Sequence, residues 1–200
     1  MLLNNFRNSI WFTRKAWISA EKRLLSNAYH TQLLLVVYSA YMACVSVVFL
    51  SYQPLGYEKK FIETSMAVIS IILFGLSLYL NSKSFKERAN GFKAGYLDLH
   101  NISNEIDVFF IEKKSIENAA EDFRGIFNRY IKVLRDVENH LEIDDISGRI
   151  SAGKGLTSRH LSCGEVIRYR WWRIWRWWAL LVIYMAPFFV FMWFFLNERS

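Results

Sequence analysis

Three apolar runs without a single charged residue punctuate the chain, at 33–52, 65–80 and 177–196. Twenty residues of α-helix rise about 30 Å, the thickness of a bilayer's hydrocarbon core. The first and third runs reach that length, and Phe61 and Ile62 extend the second towards it. The interior of a soluble protein also uses apolar helices. Three such runs in a chain of 200 residues favour membrane spans instead.

Between the second and third runs the pattern changes from solid to periodic. Phe85, Ala89, Phe92, Tyr96, Leu99, Ile102, Ile106 and Phe109 recur at steps of three and four, close to a heptad seam. After a polar break at 111–115, Ile116, Ala120, Phe123, Phe127, Tyr130, Leu134, Val137 and Leu141 repeat the spacing. Two stripes joined by a short break predict an antiparallel helical hairpin. Its seams bury one another or meet neighbouring subunits as a coiled coil does. Ahead of the first run, residues 8–30 place Ile10, Trp11, Trp17, Ala20, Leu24 and Ala28 along one side of a helix, with Arg14, Lys15, Lys22 and Arg23 elsewhere. Such a segment lies on a leaflet or packs on the hairpin. The stretch 142–164, rich in glycine and serine, reads as a loop.

The predicted fold is therefore an all-α integral membrane protein. It has a basic amphipathic juxtamembrane helix (1–30), a transmembrane hairpin (31–80) continuous with a cytoplasmic antiparallel helix pair (81–146), a flexible basic linker (147–170), and an Arg/Trp belt leading a third transmembrane helix (171–200). Composition agrees: hydrophobic residues make up 53 % and aromatic ones 17 %, and only Pro54 and Pro187 interrupt helix.

Charge fixes the expected orientation. The net charge of +7 is concentrated beside the apolar runs. Arg7, Arg14, Lys15, Lys22 and Arg23 precede the first, Lys83, Lys86 and Arg88 follow the second, and Arg168, Arg170, Arg173 and Arg176 precede the third. In the 53–64 turn, Glu58 and Glu63 cancel Lys59 and Lys60. The positive-inside rule then puts the N-terminus and residues 81–170 in the cytoplasm, with the C-terminus outside. Trp171, Trp172, Arg173, Trp175, Arg176, Trp177 and Trp178 are the expected interface anchors, indoles at headgroup depth and guanidinium groups on lipid phosphate. This reading makes direct nucleic-acid binding unexpected.

Candidate chemistry is sparse. GKGLTS at 153–158 lacks the spacing and the strand–helix setting of a phosphate-binding loop. His30, His100, His140 and His160 have no metal-ligand spacing with cysteine or acid, and Cys44 and Cys163 make no disulfide framework. Glu138, His140, Asp144 and Asp145 form a polar cluster at the end of the second hairpin helix, suited to catalysis or, more commonly, to capping and inter-helix hydrogen bonds. No nucleophile motif accompanies it. The expectation is a non-enzymatic protein without metal or cofactor. In the spans, Ser39, Ala43 and Ser46, and Ser70, Ser77 and Asn81, fall at helical spacing. Small and hydroxyl residues let spanning helices pack closely, or line a polar path in an oligomer.

The order of these parts resembles the SLATT family, the SMODS- and SLOG-associating two-transmembrane effector domains of bacterial conflict systems. The likeness rests on the lead W11-F-T-R14-K-A-W17-I-S-A-E21-K-R23 before the hairpin, the basic exit K83-S-F-K86-E-R88, and the closing E138-N139-H140-L-E-I-D144-D145. The last is similar to the family's Glu-Asn-His then Asp signature, carried here by Glu138, Asn139, His140 and Asp144. It covers about 8–146; the third run departs from the minimal pattern and is similar to extensions found beside reverse transcriptases. The resemblance implies an anti-phage effector that a nucleotide messenger or a cytosolic signalling partner triggers to homo-oligomerise, permeabilise the lipid bilayer and cause cell death or arrest. A non-conducting anchor that recruits a cytosolic partner is the alternative.

Overall fold

A computed structural model describes residues 2–52, 57–111, 116–153 and 158–197. The tip of the expected 53–64 turn, most of the polar break and the core of GKGLTS lie outside these, and so do the side chains at 2–4, 52, 57–59, 110, 111, 116–120, 190, 191 and 193–197. Among the described residues the chain is helical, without a strand: α1 Leu2–Tyr52, α2 Tyr57–Ser82, α3 Phe85–Ile111, α4 Ile116–Asp136, α5 Glu142–Ala152 and α6 Cys163–Asn197. They fall into two compact units, one made of Met1–Ser26 with Phe85–Trp171, the other of Asn27–Ser84 with Trp172–Ser200.

The first unit has the protein's hydrophobic core. Ile10, Trp17, Ala20 and Leu24 of α1 meet Ala89, Phe92, Leu99, Ile102 and Ile106 of α3 and Ile126 and Tyr130 of α4. The amphipathic lead thus packs on the hairpin and completes a three-helix bundle. Three stripes enclose a core that two long helices would leave half open. Polar contacts fix the sense of each neighbour. Arg7 pairs with Asp107 at 3.2 Å and Arg14 bonds His100 at 3.0 Å, so α1 and α3 run antiparallel. Arg129 binds Glu105, which sets α4 antiparallel to α3. Phe6 sits among Phe123, Phe127 and Tyr130, centroids 5.0–5.7 Å away.

Five local readings change. Trp11 is 37 % exposed and lies off the core face. Ile116 and Ala120 of the second stripe have side chains outside those described. Among its described side chains, Tyr130 is buried and Leu134 and Val137 pack on the core as expected, but Ile126 is buried in place of Phe127, which is half out. The helix stops at Asp136, before Leu141, where Asn139 and His140 favour turn over helix. The 142–164 stretch is not all loop, since 142–152 form α5, whose first turn holds Glu142, Asp144 and Asp145 at the positive end of the helix dipole. Of the expected linker, 147–152 therefore belong to α5 and 163–170 open α6. Nor does α2 run on into α3: Lys83 and Ser84 break the helix, Ser84 adopting φ 45°.

Gly148 shows how closely α5 approaches α1. A Cβ there would lie 2.9 Å from the Lys15 carbonyl carbon and oxygen and 3.0 Å from the Ala16 nitrogen. These are backbone atoms and cannot swing aside. Gly125 on α4 faces open space.

The second unit contains the apolar lengths. Asn5–Ser51 and Lys60–Phe109 each include a window long and apolar enough to cross a membrane. Only 6 % of the first window and none of the second is buried, the reverse of a soluble core helix. Within this unit α1 meets α6: the Tyr38 hydroxyl donates to the Ile183 carbonyl at 2.9 Å, and His30 bonds the Tyr184 hydroxyl at 3.2 Å.

Gly148→Ala is expected to destabilise the protein by about 1–3 kcal/mol through overpacking, whereas Gly125→Ala should stabilise it by about 0.5–1 kcal/mol. Thermal unfolding of the purified protein in detergent, followed by circular dichroism, checks both signs.

Candidate functional site

The acids of the closing signature do not converge on one centre. Each is taken by a different arginine. Arg23 on α1 reaches Asp144 on α5 with two parallel bonds, Nε to Oδ1 at 2.8 Å and Nη2 to Oδ2 at 2.9 Å. Asp144 is 2 % exposed and the Arg23 side chain 12 %. The Leu141 amide also donates to Asp144 at 3.0 Å, so the carboxylate caps α5 while it binds α1. Planar fork on carboxylate is the strongest geometry available to such a pair, and lysine cannot reproduce it.

Glu138 accepts the Arg88 Nε at 2.9 and 3.0 Å on its two oxygens, tying the segment after α4 to the start of α3. This pair is open to solvent, with side chains 41 % and 38 % exposed. Asn139 is exposed and His140 half-buried. The third acid, Asp145, joins Arg149, which also reaches Glu165 at the start of α6 at 2.5 Å. The Ser162 amide donates to the same Glu165 carboxylate, and the Ser162 hydroxyl accepts the Glu165 amide. The Arg149 bond and then the Ser162 amide lower the Glu165 pKa from 4.5 to about 2, so it remains ionised through neutral pH. Arg168 binds Glu142 across the same α5–α6 junction.

The partners come from the motifs that carry the family resemblance. Arg23 ends the Trp/Arg lead and Arg88 ends the basic exit, and they are the counter-charges of Asp144 and Glu138. Motifs far apart in sequence are thus the two sides of shared ion pairs. What the arrangement does chemically is fasten helices, since the carboxylates are occupied by guanidinium groups and by the α5 cap. Sequence reasoning grouped these acids as one cluster, whereas each has its own arginine, and it missed those partners, Arg149 among them. An arginine at i+4 from Asp145 was the available signal. Among the described residues no group of three metal-ligating side chains occurs.

The proposed packing faces in the second unit are divided. Ser39, Ala43, Ser70 and Asn81 are exposed, Ser46 and Ser77 half-buried. The Ser46 hydroxyl donates to the Met42 carbonyl and that of Ser70 to the Met66 carbonyl, both at 2.8 Å, so each is satisfied on its own helix. In the belt, Trp171, Trp175, Trp177 and Trp178 are 58–62 % exposed and Arg173 is exposed. Arg176 lies over the Trp172 ring at 5.5 Å, the expected cation–π contact. An open apolar groove of about 390 Å³ runs beside His30, Trp177, Leu181 and Tyr184.

Asp144→Ala leaves the largely buried Arg23 charge unpaired and should cost about 3–5 kcal/mol of stability. Glu138→Ala, at the exposed pair, should cost about 1 kcal/mol or less. Parallel unfolding curves of the two variants check the contrast; equal effects would contradict it.

No curated protein and no solved structure matches the chain. A family match runs over residues 2–193, from the first helix through most of α6, and so takes in the C-terminal helix as well as the lead, exit and closing motifs. With its helices, its two exposed apolar lengths and its paired signature, the chain belongs to the SMODS and SLOG-associating 2TM effector domain family 5.

Proposed function

We propose that the protein is a non-enzymatic membrane effector of a bacterial anti-phage, nucleotide-signalling conflict system. On activation it oligomerises and permeabilises the inner membrane, causing death or arrest. The observation that carries the reading is the contrast within one chain: apolar lengths with almost no buried residues, and a packed, ion-paired bundle. Membership of an effector-domain family supports it. In this reading the protein is multi-pass, α6 adds a third span, and the positive flanks hold the N-terminus and residues 81–170 in the cytoplasm with the C-terminus outside. The bundle then receives the trigger, a cytosolic signalling partner or a nucleotide messenger.

A second reading, a non-conducting anchor that recruits a cytosolic partner, is favoured by Ser46 and Ser70, whose hydroxyls are satisfied on their own backbone and need no water.

Cells expressing the protein with its neighbouring genes should leak potassium and take up an excluded dye once the defence is triggered. Leakage should fall when Ser39, Ser46, Ser70 and Ser77 are replaced by bulky residues. Protection with membranes that stay intact would overturn the permeabilising role and leave the anchor.

A further inference from the structure

The core-facing stripe of α3 is matched by a second stripe on the opposite side of the same helix. Asn90, Ala94, Leu97, Asn101, Asn104 and Val108 follow one another at steps of four, three, four, three and four, and all are exposed. Leu97 is 47 % and Val108 50 % exposed, and a Cβ on the adjoining Gly91 would meet nothing. The stripe is free of charge for five turns, although charged residues border it on both sides. One exposed leucine needs no explanation. An uncharged heptad register over about 27 Å of helix does.

In heptad terms Ala94, Asn101 and Val108 occupy a positions and Asn90, Leu97 and Asn104 occupy d. Asparagine at a pairs with its own counterpart across a two-stranded coil and fixes register at a cost in stability. The flanks select the partner. Lys93 is a g residue and Asp98 the e residue five positions on, where a parallel partner's g side chain reaches. Neither has an ion pair or hydrogen bond among the described residues. An in-register parallel copy would place Lys93 against Asp98 twice, once in each direction. The antiparallel register that overlaps the whole stripe would instead set Asp98 beside Asp98 and His100 beside His100, and would bring Lys93 only to Asp107, whose carboxylate Arg7 already holds at 3.2 Å.

We infer that this outer face of α3 is a self-association surface, which a second copy of the chain covers in parallel and in register. The seam is weak by design of its residues, two large apolar side chains and three asparagines, so it suits copies already concentrated in one membrane. The inference deepens the oligomeric effector reading and rests on it for its purpose, though not for its geometry.

The full chain carrying Cys44→Ser and Cys163→Ser, reconstituted in vesicles, tests it with single cysteines. Asn101→Cys should form a disulfide-linked dimer on mild oxidation, far beyond an off-seam control, Lys132→Cys on α4. Lys93→Asp should lower the Asn101→Cys dimer by roughly five- to tenfold, as two attractive pairs become repulsive, and adding Asp98→Lys should restore it. No Asn101→Cys dimer above the control overturns the surface. So does a dimer that appears only when Leu97→Cys and Asn101→Cys chains are mixed, the antiparallel product. A dimer insensitive to the charge reversal also overturns it. Dye release from the same vesicles separates the two readings. Cross-linking without release keeps the seam and removes permeabilisation; release without cross-linking does the opposite.

Discussion

The ion pair between Arg23 and Asp144 is the constraint on which the rest of the first unit depends. Bringing a carboxylate to 2 % exposure is strongly unfavourable unless its charge and lone pairs are met. Here both oxygens are met by one guanidinium, and one of them also by the Leu141 amide. The pair can form only if α5 begins where it does and lies along α1, and Gly148 lets the two backbones come that close. From α5, Arg149 passes the constraint to the start of α6 through Glu165. Arg88 with Glu138 closes the other side, between α3 and the segment following α4.

Seen this way, the signature of this family has a structural meaning in this chain. Its acids are placed to hold helices at particular registers. Hydrophobic burial supplies most of the driving force, through Phe92, Leu99, Ile106, Ile10 and Leu24, but apolar stripes alone tolerate sliding. A bidentate pair in low dielectric tolerates far less. A bundle fixed in register is a suitable receiver for a signal, because displacing one helix must break a specific bond. In the proposed assembly, the exposed heptad on α3 would add a way for one bundle to sense another.

Much of this was legible in the sequence. The apolar runs, the α3 stripe and the antiparallel hairpin followed from period and length, because each expresses one dominant interaction along one helix. The lead's choice between leaflet and bundle was not legible, since Ile10, Trp17 and Leu24 suit either apolar surface. α5 was hidden by Ser147, Gly148, Ser151 and Gly153, which signal loop locally. One of those glycines is there because a neighbouring backbone leaves no room for a side chain. The break at Ser84 left no mark in the hydrophobic period. Partners such as Arg23 and Asp144, separated by 121 positions, leave no periodic trace at all. They stand in two different family-like motifs, and only the fold brings them together.

The central claim is that Arg23 and Asp144 act as one fastening. A double-mutant cycle measures this directly: Arg23→Met, Asp144→Leu and the pair together, with unfolding free energies determined in the same detergent. The account predicts that the two substitutions are strongly non-additive, with a coupling above about 2 kcal/mol and a double variant more stable than either single one. Additivity to within about 0.5 kcal/mol would show that the two residues do not depend on each other, and would contradict it.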